Sequence, residues 1–239
     1  MKTIKAIQVY KSDDELQNLL NAWINAIIRY TSTNEYDNPW WYNERASLSV
    51  LAGAAWTLKN WLALEEFSTM KRYRTLVPGV DSGSLRHGRC DLFVQSPNSS
   101  FAIEAKQTVQ SIGSRSDGNT YIARAMRRAW EDSGDLSKKE AYRRFAVTFI
   151  VPYIPVNEVL NEEVGDTEVC PEKVEKAVND WLSGHHIFSE NSMKNANYAY
   201  VFPKLGNKNY SLNRKHYPGI MVFFEERFRA HRQKNSNDQ

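Results

Sequence analysis

Two short alternating segments with a turn-rich stretch between them constrain the fold more than any other feature of this chain. The segments run from Arg89 to Gln95 and from Phe101 to Gln107, and the stretch between them is Ser96-Pro97-Asn98-Ser99-Ser100. Alternation at period two is typical of strands with one buried face, and clustered Ser, Pro and Asn are typical of turns. The pattern therefore predicts a β-hairpin.

The same alternation predicts which side chains share a face of the hairpin. Apolar side chains of both strands form one layer: Cys90, Leu92 and Val94 with Phe101, Ile103 and Ala105. Because the two apolar layers coincide in only one parity of pairing, Asp91, Glu104 and Lys106 come together on the opposite face. A turn centred on Pro97-Asn98 sets Asp91 directly across from Glu104, and Arg89 across from Lys106.

Two carboxylates and a lysine on one face of a hairpin indicate a particular chemistry. Facing carboxylates repel each other, and a cation between them reverses the sign of that interaction. Mg²⁺ is held in proteins by one or two carboxylates while it keeps waters and substrate phosphates. A lysine beside it can orient or deprotonate a water, or stabilise negative charge on a phosphate. Asp91, Glu104 and Lys106 therefore indicate metal-dependent phosphodiester hydrolysis.

Glu44 supplies a third acid. The chain from Asn38-Pro39 to about Glu66 is predicted to be helical, with an inner stripe made of Leu48, Leu51, Ala55, Leu58 and Leu62. Glu44 lies four residues before Leu48, so it is in phase with the buried face. Alternatively, the helix dipole alone favours a carboxylate near the N-terminus.

The remaining patterns predict an ordered set of elements. A capping box at Ser12–Glu15 begins an N-terminal helix over 12–30 that ends near Arg29. Further elements are a strand over 71–77, a helix over 119–132, a buried strand over 145–151, a helix over 171–182 and a strand over 198–202. Residues 220–224 fit a strand or a short buried helix. With no clear linker, we expect a single domain over 1–239, with a core at 39–152, an elaboration at 155–230 and a frayed tail at 230–239.

Composition excludes several classes of protein. The 239 residues are 41% hydrophobic, which is enough for a real core. No apolar run approaches the roughly 18 to 20 residues that a membrane span needs, so no membrane partner is expected. The 2 cysteines cannot form a disulfide scaffold or a four-cysteine zinc site, which favours a cytoplasmic setting. A net charge of +3 permits an anionic partner without requiring one.

With these residues in place, the chain resembles the PD-(D/E)xK nuclease superfamily. The resemblance is carried by Glu44 on a helix, by Gly88-Arg89-Cys90-Asp91-Leu92 and by Glu104-Ala105-Lys106. It covers about half of the chain, and Cys90 stands where the family often has a proline. It implies an α/β fold (an α+β mixed sheet flanked by helices), with a restriction-endonuclease-like αβββαβ core and C-terminal additions.

The resemblance also implies a function. Asp91 and Glu104 would bind Mg²⁺, for which Mn²⁺ can substitute; Lys106 would be the catalytic lysine, and Glu44 would assist the metal or the water. The expected activity is that of a DNA endonuclease leaving a 5′ phosphate. Double-strand cutting by one site per chain commonly calls for a homodimer.

A basic helix face follows the hairpin. Arg124, Arg127 and Arg128 recur at i, i+3 and i+4. In a nuclease of this shape they would lie near the substrate and meet phosphates. A solvated outer face of the helix accounts for them equally well.

The charged residues are also compatible with a protein that cuts nothing. A catalytically inactive nuclease-fold protein could bind nucleic acid or a partner with the same fold. A solvated charge pair on an unrelated α/β domain would need no ligand at all. The presence of Glu44, Asp91, Glu104 and Lys106 together favours the enzyme, because a binding module has no need of two facing carboxylates.

Overall fold

The chain folds into a mixed sheet with helices on both faces. The computed structural model describes residues 1–72, 85–114, 116, 118–137, 139–161, 168–184 and 197–227. Within them lie four α-helices: α1 (Asp14–Thr33), α2 (Glu44–Trp56), α3 (Thr120–Asp135) and α4 (Pro171–Gly184). The expected mixed α/β class is confirmed.

Nine strands of the described residues form the sheet. They are β1 (Ile4–Gln8), β2 (Leu62–Arg72), β3 (Leu85–Gln95), β4 (Ser100–Ser111), β5 (Arg143–Pro155), β6 (Asn197–Phe202), β7 (Ser211–Leu212), β8 (Lys215–His216) and β9 (Ile220–Glu226). Their spatial order is β1-β6-β9-β5-β4-β3-β2, and the β7–β8 hairpin attaches to β5. The β4–β5 pair is parallel, and the other pairs are antiparallel.

The alternation of β5 divides the core between the two faces of the sheet. Phe145, Val147 and Phe149 join a large apolar cluster with α1 and α2. Ile150 and Ile154 belong to a second cluster with α3 and α4. The sheet is thus a buried central layer, as the continuous apolar run in β5 predicts.

The first helix differs from its predicted bounds at both ends. Its N-cap is Asp13, whose Oδ1 accepts a hydrogen bond from the Leu16 N–H at 3.1 Å. The predicted capping box therefore lies one residue too early: Ser12 has a left-handed φ of 50°. The helix ends at Thr33 rather than near Arg29, because buried Thr31 extends the inward stripe one turn beyond Ile27.

The second helix is shorter than predicted. Asn38 accepts a hydrogen bond from the Trp41 N–H at 3.1 Å, but this closes a turn, and the helix begins at Glu44 with Asn43 as its N-cap. It ends at Trp56 rather than near Glu66. The left-handed φ of 64° at Asn60 reverses the chain, and β2 follows from residue 62. Leu62, expected on the helix stripe, is an exposed strand residue.

The other predicted elements agree more closely with the structure. The hairpin strands, the helix over 119–132, the strand over 145–151, the helix over 171–182 and the strand over 198–202 are confirmed as β3, β4, α3, β5, α4 and β6. Residues 220–224 are a strand, β9. The strand expected over 71–77 starts nine residues earlier, and its residues 73–77, like the tail at 230–239, lie outside the described residues.

None of the described helices has both the length and the apolar composition that crossing a membrane requires.

Candidate active site

The two hairpin strands diverge at Asp91. Their ladder runs from Gln95↔Ser100 to Leu92↔Ile103, which is the register the turn predicts. It stops one pair before Asp91 and Glu104, so these residues are not a ladder pair. Instead, the Ala105 N–H donates to Asp91 Oδ2 at 2.8 Å. The Asp91 carboxylate thus accepts a backbone hydrogen bond from β4 at the point where the two strands separate.

Beyond this point β3 follows its other neighbour. It remains paired with β2 as far as Arg72↔Leu85, while β4 remains paired with β5 as far as Ser111↔Tyr153. The expectation that Arg89 faces Lys106 is therefore wrong. Arg89 lies in the ladder opposite Ser68, and its Nη1 lies 3.2 Å from Glu66 Oε2.

Cys90 does not share the apolar layer of Leu92 and Val94. It packs with Ala102, Leu136 and Ala141, whereas Leu92 and Val94 pack in the large cluster. The alternation of side chains between the two faces of the sheet is therefore interrupted in β3 where the strands diverge, between Cys90 and Leu92. Burial, reinforced by the charge of Glu104, raises the pKa of the Cys90 thiol to about 12. A thiol in that state is a small buried apolar group.

Glu104 is the most deeply buried acid of the site, with 2% of its surface exposed. Burial, followed by the charge of Asp91, raises its pKa to about 8, against the opposing effect of Lys71. Lys71 Nζ lies 2.8 Å from Glu104 Oε1. Lys71 reaches it across Gly88, where a Cβ atom would stand 2.9 Å from Lys71 Cγ and Cδ.

Lys106 contacts an acid on α3. Its Nζ lies 2.7 Å from Asp132 Oδ2 and donates to the Ala105 carbonyl at 2.8 Å. Burial acts to lower the pKa of Lys106, but the hydrogen bond to Asp132 and the charges of Glu44, Asp132 and Asp91 outweigh it, so the pKa is raised. Lys106 is therefore a cation at neutral pH.

Glu44 reaches the site from the first turn of α2. Its Oε2 accepts a hydrogen bond from the Gln107 N–H at 3.1 Å. Burial raises its pKa, the charge of Lys106 opposes this, and the charge of Asp91 adds to it. The Gln107 side chain also connects β4 to α2 and to the residues before it. Ser47 Oγ donates to Gln107 Oε1 at 2.7 Å, and Gln107 Nε2 donates to the Tyr42 carbonyl at 2.9 Å.

The structure thus brings the four predicted side chains, Glu44, Asp91, Glu104 and Lys106, into one electrostatically coupled group on α2, β3 and β4. Sequence reasoning missed Lys71 and Asp132. Asp132 carried the same signal as Glu44, since it lies three residues after Ala129 and seven after Ala125 on the buried stripe of α3. No pattern in the sequence marked Lys71, because the predicted strand began at residue 71, nine residues after β2 actually begins, and so did not show which face of β2 Lys71 lies on.

The donor set fits a hard divalent ion by its chemistry but not as a preformed cage. Within the described ranges, no three His, Cys, Asp or Glu side chains are grouped so that they could hold a metal ion. The charge of Asp91 nevertheless contributes to the raised pKa of Glu104, so a cation near both side chains would favour the ionised form of Glu104. Magnesium needs only one or two carboxylates, with water and phosphate oxygens completing its shell.

The basic residues of α3 lie on its outer face. Arg124, Arg127 and Arg128 are exposed, while Ile122, Ala125 and Ala129 are buried. Arg127 Nε lies 3.9 Å from Glu131 Oε1, a helical ion pair one turn away. Both roles predicted for these arginines, phosphate contact and a solvated face, are compatible with that position.

The sequence matches no protein-family model and no curated protein, and the fold matches no solved structure.

Proposed function

We propose that this protein is a metal-dependent nuclease that hydrolyses phosphodiester bonds, acting as a DNA endonuclease. The observation that carries the proposal is the coupling of Glu44, Asp91, Glu104 and Lys106 in one half-buried group at a strand divergence. Charged side chains with strongly perturbed pKa values are typical of functional sites. The order α2-β2-β3-β4-α3-β5 supports the restriction-endonuclease-like αβββαβ core that the resemblance implies.

Asp91 and Glu104 are the proposed ligands of Mg²⁺ or Mn²⁺. Glu44 is a third acid, and the charges of Asp91 and Asp132 act on it as they act on Glu104. When bound, such an ion supplies positive charge that makes water a stronger acid and stabilises negative charge on a phosphate. Its charge also favours the ionised form of Glu104 over the protonated form.

The protein side chains have distinct roles in this proposal. Lys106 is cationic, so it acts by donating hydrogen bonds and stabilising negative charge that develops on the phosphate, rather than by removing a proton. Asp132 holds the Lys106 ammonium in place. The pKa of Glu44 is raised towards neutral pH, which makes its carboxylate a stronger base and suits it to accept a proton from the attacking water.

The proposed partner is DNA, with the exposed Arg124, Arg127 and Arg128 as contacts for its phosphates. Cutting both strands of a duplex with one site per chain further suggests a homodimer. We place the activity in the cytoplasm, because Cys90 and Cys170 are both free thiols.

One observation favours a second candidate, a nuclease-fold protein that binds nucleic acid or a partner without cutting. The ammonium of Lys71 already stands beside Glu104, at 2.8 Å. A protein that keeps this contact permanently would have no use for a metal at Glu104.

A cleavage assay separates the two candidates. Supercoiled and linear DNA are incubated with the protein in Mg²⁺, Mn²⁺ or EDTA, and wild type is compared with Asp91→Asn and Lys106→Met. The matched control is Lys176→Met, which removes a lysine from an exposed ion pair with Asp180 on α4. Metal-dependent cutting that both site variants abolish and the control retains supports the nuclease. Binding without cutting in either metal, together with no calorimetric binding of Mg²⁺ near millimolar concentration, supports the second candidate.

A further inference from the structure

Two arginines beside the site share one glutamate. Arg45 Nη2 lies 3.0 Å from Glu66 Oε1, and Arg89 Nη1 lies 3.2 Å from Glu66 Oε2. Each oxygen of the Glu66 carboxylate therefore forms an ion pair with one guanidinium group. The side chains are 74%, 70% and 40% exposed for Arg45, Arg89 and Glu66 respectively, so a ligand from solvent can reach all three.

The backbone holds Glu66 at an unusual place. Its φ is 53°, in the left-handed region that residues with a side chain rarely adopt. It interrupts the β2–β3 ladder between Glu65↔Leu92 and Phe67↔Cys90, at the position that would pair with Asp91. Strained backbone of this kind persists where the surrounding structure imposes it, and it clusters at functional sites.

The two arginines flank the proposed catalytic acids. Arg45 directly follows Glu44 in the first turn of α2, and Arg89 precedes Asp91 by two residues in β3. The two elements are connected through β2, because Ser49 Oγ of α2 donates to Glu65 Oε1 of β2 at 2.9 Å and β2 pairs with β3. The pair of guanidinium groups is therefore held in place by both α2 and β3.

We propose that Arg45 and Arg89 form a binding subsite for a backbone phosphate of nucleic acid, and that the Glu66 carboxylate occupies it until that phosphate replaces it. This inference rests on the proposed nuclease function for the identity of the ligand. A carboxylate and a phosphodiester each present two oxygens that share a negative charge, and arginine pairs with both in the same geometry. Exposed ion pairs contribute little to stability, so the exchange costs the fold little.

The subsite gives Glu66→Gln an effect that a purely structural role would not give. Removing the internal carboxylate leaves both arginines to the ligand, so binding of duplex DNA should tighten by about fivefold, with a steeper salt dependence. Arg45→Ala and Arg89→Ala should each weaken binding about tenfold and reduce the slope of log K against log salt by about one. Adding either arginine substitution to Glu66→Gln should remove the gain.

The measurement is fluorescence anisotropy of a labelled duplex in EDTA, at several salt concentrations, so that no cutting occurs. The matched control is Asp180→Asn, which changes the net charge equally at the exposed Lys176–Asp180 pair of α4. We expect affinity within about twofold of wild type for this control, since its charge lies outside the subsite. Thermal unfolding of both variants should stay close to wild type.

Failure of this inference and failure of the proposed nuclease give different results. A wild type that cuts DNA, together with a Glu66→Gln variant that binds no tighter than Asp180→Asn, overturns the subsite alone. A protein that never cuts but gains affinity on Glu66→Gln keeps the subsite and overturns the nuclease. A gain in affinity for inorganic phosphate without a gain for the duplex overturns the nucleic-acid assignment.

Discussion

Replacing Glu104 by glutamine should stabilise the protein at alkaline pH. Glu104 is 2% exposed, and its pKa is raised from 4.5 to about 8, chiefly by burial and then by the charge of Asp91. The folded state therefore holds a proton that the unfolded chain releases between these two pH values. Because the folded state binds more protons, its stability falls as pH rises through this window.

The size of the effect follows from the shift in pKa. Each pH unit between 4.5 and about 8 removes about 1.4 kcal/mol of unfolding free energy, so the loss approaches about 5 kcal/mol above pH 8. Below the pKa of the unfolded chain the loss vanishes. Glutamine has the shape and hydrogen-bonding groups of the protonated acid but cannot ionise, so Glu104→Gln should match wild type at low pH and exceed it at high pH.

Urea denaturation of wild type and Glu104→Gln across this pH range measures the difference directly. Titrating groups outside the coupled group contribute equally to both proteins, so the comparison isolates Glu104 together with the neighbours that act on it. A difference that stays constant with pH would refute the reasoning that burial keeps this acid protonated. Adding Mg²⁺ gives a second test. At about ten times its Kd, Mg²⁺ should raise the unfolding free energy of wild type by about 1.4 kcal/mol and leave that of the variant nearly unchanged.

Three further outcomes are expected. Asp132→Asn removes the charge that holds Lys106, so single-turnover cleavage should slow by at least about tenfold while duplex affinity in EDTA stays unchanged; an unchanged rate would remove Asp132 from the mechanism. Iodoacetamide should label Cys170 in the folded protein and spare Cys90, whose pKa is about 12, as peptide mass spectrometry can show; labelled Cys90 would contradict its burial. Asn43→Ala removes the N-cap of α2 and should lower the unfolding free energy by about 1 kcal/mol in urea, and no loss would mean that the cap is replaced.

The sequence predicted the hairpin well because its information is local. Period-two alternation and the turn residues between 96 and 100 are enough to set the register, and Leu92↔Ile103 has the predicted partner. The divergence at Asp91 was not predictable in the same way. It depends on the Asp91 carboxylate accepting the Ala105 N–H and on β2, which continues to pair with β3 after β4 has turned away.

The boundary between α2 and β2 shows where local patterns mislead. The residues after Trp56 have helix-forming composition, and Leu58 and Leu62 continue the apolar spacing of the helix. Propensity differs between helix and strand by less than a tertiary contact contributes. Pairing with β3 therefore decides the conformation of residues 62–72, and the left-handed Asn60 allows the reversal.

The partners of the site residues were the least predictable part. Lys71 and Asp132 lie 33 residues before Glu104 and 26 after Lys106 in the sequence, and each meets its partner only through the packing of the sheet and α3. Asp132 is in phase with the buried stripe of α3, as Glu44 is with that of α2, so an acid on a buried helix stripe was informative in both cases. No equivalent local pattern marks an edge-strand lysine.

Charge balance explains why these partners and the raised pKa values occur together. The coupled group contains four carboxylates, on Glu44, Asp91, Glu104 and Asp132, against the ammonium groups of Lys71 and Lys106. When all are ionised, two negative charges remain in excess within a partly buried volume. Burial raises the pKa values of Glu44 and Glu104, and the charges of Asp91 and Asp132 add to this rise against the opposing effects of Lys106 and Lys71, so retained protons relieve that excess. Under the proposed function, a divalent cation would carry the charge that replaces those protons, so the charge imbalance around the acids would favour a doubly charged metal ion over a singly charged one.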